Sequence, residues 1–252
     1  MFKNFKKKYL FYTFLFTYFL IGSYLSITNG ITSDEYHEQL NWDVNSLAIL
    51  NFFKDGSYDE LLNYGDRYHG IGFHFLSQPI QFFFYKFVSN LNDLSYFGGY
   101  LVSRHIASFL IYTISGIFFY LLSLKLTKDF TFSIIATVFY LFYPYLFGHA
   151  QFNGKDIPFL SFWLINTYIS LSIIEDLFYE KKIKLTSIFI LSFLTAFLIS
   201  IRVVGIIIFL QYFIGLIFLF NNKKINVRFF LKNNFSSFFA FILFLFFFII
   251  IL

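Results

Sequence analysis

The sequence predicts an all-α fold: a polytopic transmembrane helical bundle of about seven spans, with a large outer loop carrying interfacial helices. Three observations predict it. Only 13% of the 252 residues are charged and the mean hydropathy is +0.67, whereas soluble domains carry about 25% charged residues. Apolar runs of 17 or more residues recur along the chain, and such runs cross a hydrocarbon core of about 30 Å. The basic residues gather in alternate loops between these runs, as the positive-inside rule requires of a multi-pass protein.

The first span is expected at 9–27, directly after Lys3, Lys6, Lys7 and Lys8. It has no clear small-residue cleavage site and reads as an uncleaved signal anchor. Further spans are expected at 106–124, 130–147 and 157–174. The next apolar stretch, 185–220, has 36 residues and a single charge, Arg202. As one straight helix it would measure about 54 Å, so it divides into 185–201 and 203–220, with a turn near Arg202 and Gly205. The last run, 235–252, has no polar tail, and the expectation is an N-terminal part of a longer protein.

With the N-terminus in the cytoplasm, 13 of the 19 basic residues fall on the inner side, among them Lys125, Lys128, Lys181, Lys182, Lys184, Lys223, Lys224, Arg228 and Lys232. Ten of the 14 acidic residues fall outside. Residues 71–88 are apolar enough to challenge this layout, but they contain His74, Gln78, Pro79, Gln81 and Lys86. A crossing there would invert every later loop and destroy the bias. The segment is therefore expected to lie along the outer surface as an interfacial helix, within a first outer loop spanning about 28–105.

Composition also excludes some chemistry. The chain has no cysteine, which removes disulfides, thiolate metal sites and thiol nucleophiles. The net charge of +5 tracks the side of the membrane and marks no nucleic-acid partner. The 26% aromatic content, with abundant Ile, Asn and Lys, reads as AT-rich codon usage rather than a stacking surface.

The residues suited to chemistry lie on the outer side. Asp34 and Glu35 follow the first span by about seven residues; a carboxylate held there can take a proton from a hydroxyl. His37 and Glu38 are adjacent, but a metal site needs more ligands. Arg67, in NYGDRYHGIGFHF, suits a phosphate or a carboxylate. The loop 143–159 carries His149, Gln151, Asn153, Lys155 and Asp156. Asp156 can cap the following helix, yet so many polar groups at a membrane boundary also point to a site. Arg202 either snorkels to the headgroups or binds a phosphate.

Together these features resemble the GT-C membrane glycosyltransferases, and most closely the family 39-like proteins, which include protein O-mannosyltransferases and the aminoarabinose transferases of lipid A. The residues that carry the resemblance are Asp34-Glu35 soon after the first span, HAQFNGKDIPF with Asp156 in a later outer loop, and SIRVVG at 200–205. It implies one GT-C-like transmembrane domain over 1–252. It implies transfer of a sugar, with inversion, from a polyprenyl-phosphate donor to a lipid, glycan or protein acceptor on the periplasmic face of the inner (plasma) membrane. Asp34 would be the general base, with Glu35 or Asp156 positioning the acceptor or orienting the site. Lys155, Arg202, Arg67 and His149 would bind the substrate and its leaving phosphate. The mechanism leaves room for a divalent metal, with His37 and His149 as candidate ligands, and does not require one. The competing expectations are a lipid or solute transporter or flippase, and an inactive membrane fragment.

Overall fold

The computed structural model describes residues 2–221 and 227–252, with side chains over 9–221 and 234–252. Lys223 and Lys224 lie outside the described residues, as do the side chains of Lys3, Lys6, Lys7, Lys8, Arg228 and Lys232. Every regular element among the described residues is helical. The chain is a membrane protein by the length and apolarity of its helices. Among the described residues five are long and apolar enough to cross: Tyr9–Ile27, Tyr96–Thr127, Asp156–Phe178, Val203–Asn221 and Asn234–Ile251. The chain divides into two compact units, Met1–Pro158 and Phe159–Leu252.

In the first unit, α1 (Phe2–Ile27) is followed by α2 (Ser33–Asp55), the short α3 (Asp59–Asn63), α4 (Gly72–Asn92) and α5 (Tyr96–Thr127). α5 has 32 residues, about 48 Å of helix, so it outruns the apolar core at its ends. The span expected at 106–124 is its middle, and about ten residues precede it. α1 and α4 both pack along α5. Phe11, Leu15 and Tyr18 of α1 join Phe109, Tyr112 and Tyr120 of α5 in one buried cluster. α4 meets α5 so closely at Gly99 that a Cβ there would lie 1.8 Å from Ser89 Oγ, and only glycine fits.

α4, which covers most of 71–88, is not among the helices long and apolar enough to cross. It buries Phe73, His74, Ser77, Gln81 and Val88, and exposes Leu76, Phe83, Phe87 and Leu91. Those four positions are seven, four and four residues apart, which sets them on one side of the helix.

The expected straight span at 130–147 is broken. α6 (Phe130–Phe142) and α7 (Pro144–Ala150) meet at an angle of 60°. Pro144 is the cause: it disfavours helical torsions at the residue before it, and Tyr143 is extended at φ −60°, ψ 117°. The start of α6 is capped as sequence rules suggest, with Asp129 Oδ1 accepting from the backbone of Thr131 and Phe132.

α8 (Asp156–Phe178) leads from the first unit into the second, which continues with α9 (Leu185–Ile201), a 3-10 turn at Val203–Ile207, α10 (Ile208–Asn221) and α11 (Val227–Ile251). The break expected near Arg202 and Gly205 is present. Arg202 is extended at φ −147°, ψ 129°, and its carbonyl accepts from Gly205 N at 2.8 Å. α9 has only 17 residues, about 25 Å of helix. A polar network joins α8, α9 and α10: Asn166 Oδ1 accepts from Thr195 and Tyr212, and Gln211 bonds Trp163 and Thr167. Among apolar surroundings such bonds hold helices together.

Candidate functional site

The site is built where α2, α4 and the loop before α8 meet the first ten residues of α5. Burial is the first observation. Glu35, Gln39, His74, Arg104 and His105 are each 4% exposed or less. Ionisable groups stay buried only when paired and hydrogen-bonded, and here most are.

α2 begins with a capping box. Thr32 is the N-cap, and Glu35, three residues on, takes bonds from Thr32 N (2.8 Å) and Thr32 Oγ1 (3.0 Å) on its Oε1. Its other oxygen, Oε2, lies 3.0 Å from His105 Nε2. His105 Nδ1 lies 2.8 Å from the carbonyl of Ser26, at the end of α1. A carbonyl only accepts, so Nδ1 donates. The ring therefore bridges the end of α1 and the Glu35 carboxylate, one nitrogen to each. Burial pushes the Glu35 carboxyl up, but the His105 hydrogen bond and charge and the Thr32 bonds outweigh it and hold it below the usual carboxylate range.

One turn along α2, Glu38 and Gln39 reach two different cations. Lys155 Nζ lies 2.7 Å from Glu38 Oε1, and this pair is about four-fifths buried. Arg104 Nη2 donates to Gln39 Oε1, whose Nε2 donates to Asp43 at 2.8 Å. Arg104 Nε has no hydrogen-bond partner among the described residues.

His74, on α4, stacks on Trp42 of α2 with ring centroids 5.7 Å apart and planes 6° from parallel. Among the described residues neither ring nitrogen makes a well-formed hydrogen bond, although the backbones of Ile71 and Glu38 are close by. Burial, and then the nearby Arg104 charge, push it down to about 3, so it is neutral at ordinary pH. Gln78, one turn on, accepts from Tyr100 OH, and its Nε2 is likewise unpartnered.

The loop before α8 is organised by Asn153. Its Oδ1 accepts from Lys155 N (3.0 Å) and Asp156 N (2.7 Å), and its Nδ2 donates to Asp156 Oδ2 (3.1 Å). Asn153 therefore caps the helix, not Asp156 as the sequence suggested. Asn153 lies three residues upstream, where a short side chain reaches the free N–H groups. Asp156 instead stands in the first turn, where a negative charge suits the helix dipole. Ser108 of α5 bonds the Asn153 carbonyl at 2.9 Å and ties this loop to the cluster.

The structure brings Glu35 and Lys155 into the cluster and places the other candidates around or beyond it. Asp34 is exposed, and its Oδ1 accepts from Ser33 Oγ at 3.4 Å. It lies one turn before Glu38, on the same side of α2. Asp156 is exposed and adjoins Lys155. His149 packs against Tyr145, with ring centroids 4.3 Å apart and planes tilted by 43°, and meets Asn153 at 3.4 Å. Arg67 is not brought to the cluster. It bonds the carbonyls of Leu62 (3.2 Å) and Tyr64 (3.4 Å) in its own exposed turn and lies over Tyr68. Arg202 belongs to the second unit. His37 is exposed, and no group of three or more metal-ligating side chains occurs among the described residues.

Sequence reasoning missed Arg104, His105, Gln39 and His74 as members of the site. Arg104-His105 offered a signal, a charged pair heading an apolar run. The T-x-x-E spacing of Thr32 and Glu35 offered another. Comparison of the chain with protein-family models, curated proteins and solved structures finds no significant match.

Proposed function

We propose that the chain is a GT-C-type membrane glycosyltransferase, moving a sugar from a polyprenyl-phosphate donor to an acceptor hydroxyl at the outer face of the inner (plasma) membrane, with inversion. One observation carries the reading. Two acids (Glu35 and Glu38), two cations (Arg104 and Lys155) and two buried histidines (His74 and His105) are gathered near the start of an apolar helix, with two exposed carboxylates beside them. Buried charge at such a boundary is costly and marks function by default.

The division of labour follows from what each carboxylate already holds. Glu35 is occupied on both oxygens and is a positioning group. Asp34 is accessible and is the proposed general base: it takes the proton as the acceptor oxygen bonds to the anomeric carbon. The bond from that carbon to the phosphate oxygen breaks, and polyprenyl phosphate leaves. Lys155 and Arg104 supply positive charge for the leaving phosphate. Asp156 orients the acceptor, and His149, Arg67 and Arg202 stay assigned to substrate binding by resemblance alone. Seven spans fit this reading if the bent α6–α7 pair and the short α9 both cross, with the N-terminus cytoplasmic. α4 then rests on the outer surface by its exposed phenylalanines.

Transport is the second reading, and the buried network around Asn166 is the observation in its favour. Its members satisfy one another, which suits a structural joint better than a substrate path. The test is release of polyprenyl phosphate from a panel of polyprenyl-phosphate sugars in membranes containing the protein. Release by wild type, reduced at least 100-fold by Asp34→Asn at equal protein level, is expected at about the scale of a lost general base. Release that survives the substitution removes Asp34 from its role. No release from any donor overturns the reading.

A further inference from the structure

Glu38 of α2 serves two cations. Lys155 Nζ donates to its Oε1 at 2.7 Å. Among the nearby carboxylates its charge also acts most strongly on Arg104, ahead of Glu35 and Asp43. Arg104 itself bonds Gln39 and has no carboxylate within ion-pair distance among the described residues. Glu35 is held on both oxygens. The Glu38 side chain has Lys155 as its one hydrogen-bond partner among the described residues.

This ion pair is not what holds the loop before α8. The Lys155 backbone is fixed by Asn153 Oδ1 at 3.0 Å. The Asn153 carbonyl is tied to Ser108 of α5, and Gln151 accepts from Asn29, just past the end of α1. The pair is also within reach of a ligand. Its side chains keep 15% and 20% of their surface open, on the side of α2 where Asp34 is exposed one turn away. A lysine ammonium has three donors, and Lys155 uses one of them among the described residues. The carboxylate can therefore leave without loosening the loop, and a phosphate, with more acceptor oxygens, can take its place.

We infer that Glu38 is a gating residue: it holds the phosphate's place before substrate arrives, and the phosphate of the donor or of released polyprenyl phosphate displaces it from Lys155. This rests on the reading of Lys155 and Arg104 as the cations for that phosphate. Like charges side by side are costly, so the carboxylate opposes every bound phosphate. It raises the threshold for anions held by charge alone and favours release of the product. Removing it tightens phosphate binding, the opposite of what loss of a ligand contact does.

The experiment is native mass spectrometry of the full chain in detergent, titrated with polyprenyl phosphate and with uncharged polyprenol of the same length. Wild type is expected to prefer the phosphate, and Lys155→Gln is expected to weaken its binding about tenfold. Glu38→Gln is expected to tighten it about tenfold and to leave polyprenol binding unchanged. Glu38→Asp, whose carboxylate is one methylene shorter, tightens it less, and it carries the test if Glu38→Gln does not fold. Phosphate binding that both Glu38 variants leave unchanged or weaker overturns the proposal and keeps the phosphate reading. Equal tightening of polyprenol overturns it too, because a structural change would act on both ligands. So does phosphate binding that Lys155→Gln leaves intact. Wild type and Glu38→Gln that both bind the phosphate no better than polyprenol overturn the phosphate reading and the proposal together.

Discussion

Glu35 Oε2 and His105 Nε2 lie 3.0 Å apart, both buried, at the point where α2 docks on α5. Each residue is also spoken for elsewhere: Glu35 by the Thr32 cap and His105 by the end of α1. The pair therefore joins three helices through four atoms. Removing one partner leaves a buried group uncompensated, at about 3–5 kcal/mol. Glu35→Ala is expected to lower the thermal unfolding midpoint sharply. His105→Ala alone is also costly, and the double variant is expected to lose much less than the sum. Melting in detergent, followed by helical circular dichroism, checks this. Additive losses would mean that the two residues do not act as a pair. The Glu35 carboxyl is depressed in the folded state, so its contribution is present above the unfolded-state value and fades as pH falls through the folded one, below the usual carboxylate range.

His74 gives a separate pH dependence at higher pH. Its folded value is pushed down to about 3 by burial and by Arg104, against about 6.5 in the unfolded chain. Between these values the unfolded state binds the extra proton, so stability falls as pH falls. Acidification from about pH 6.5 to 5 is expected to lower the unfolding midpoint of wild type. His74→Phe keeps the ring against Trp42 and removes the titrating group. A midpoint in that variant that still falls by the same amount over the same window would assign the effect to another group.

Sidedness is testable without background, because the chain has no cysteine. Asp66→Cys, in the exposed turn before α4, is expected to react with an impermeant maleimide from outside intact cells. Lys128→Cys and Lys181→Cys are expected to react only after permeabilisation. Labelling of all three from one side would break the proposed crossing pattern.

The helices were largely legible in the sequence, because a long apolar run has one reading. The apolar run over 130–147 was legible but its 60° bend was not: apolarity continues through Tyr145, Leu146 and Phe147, and only Pro144 signals the break. The site was half legible. Glu35 and Lys155 were found because they stand in polar loops. His105 and Arg104 were missed because they head an apolar helix, where their partners come from residues some 65 to 79 positions away. Asp156 was read as a possible cap from its place just before Pro158, but it is itself the first residue of α8, and the free backbone N–H groups of Lys155 and Asp156 are met by Asn153. No local pattern reports a pairing between distant elements; it appears only when α2 lies on α5.

The most direct test of the central claim is photocrosslinking with a polyprenyl-phosphate sugar carrying a photoreactive group on the sugar, followed by mapping of the modified peptides. The account predicts adducts in the first turns of α2, around Asp34 to Glu38, and in the loop from His149 to Asp156, competed by unlabelled donor. Adducts confined to other segments, or none that the donor competes away, would contradict it.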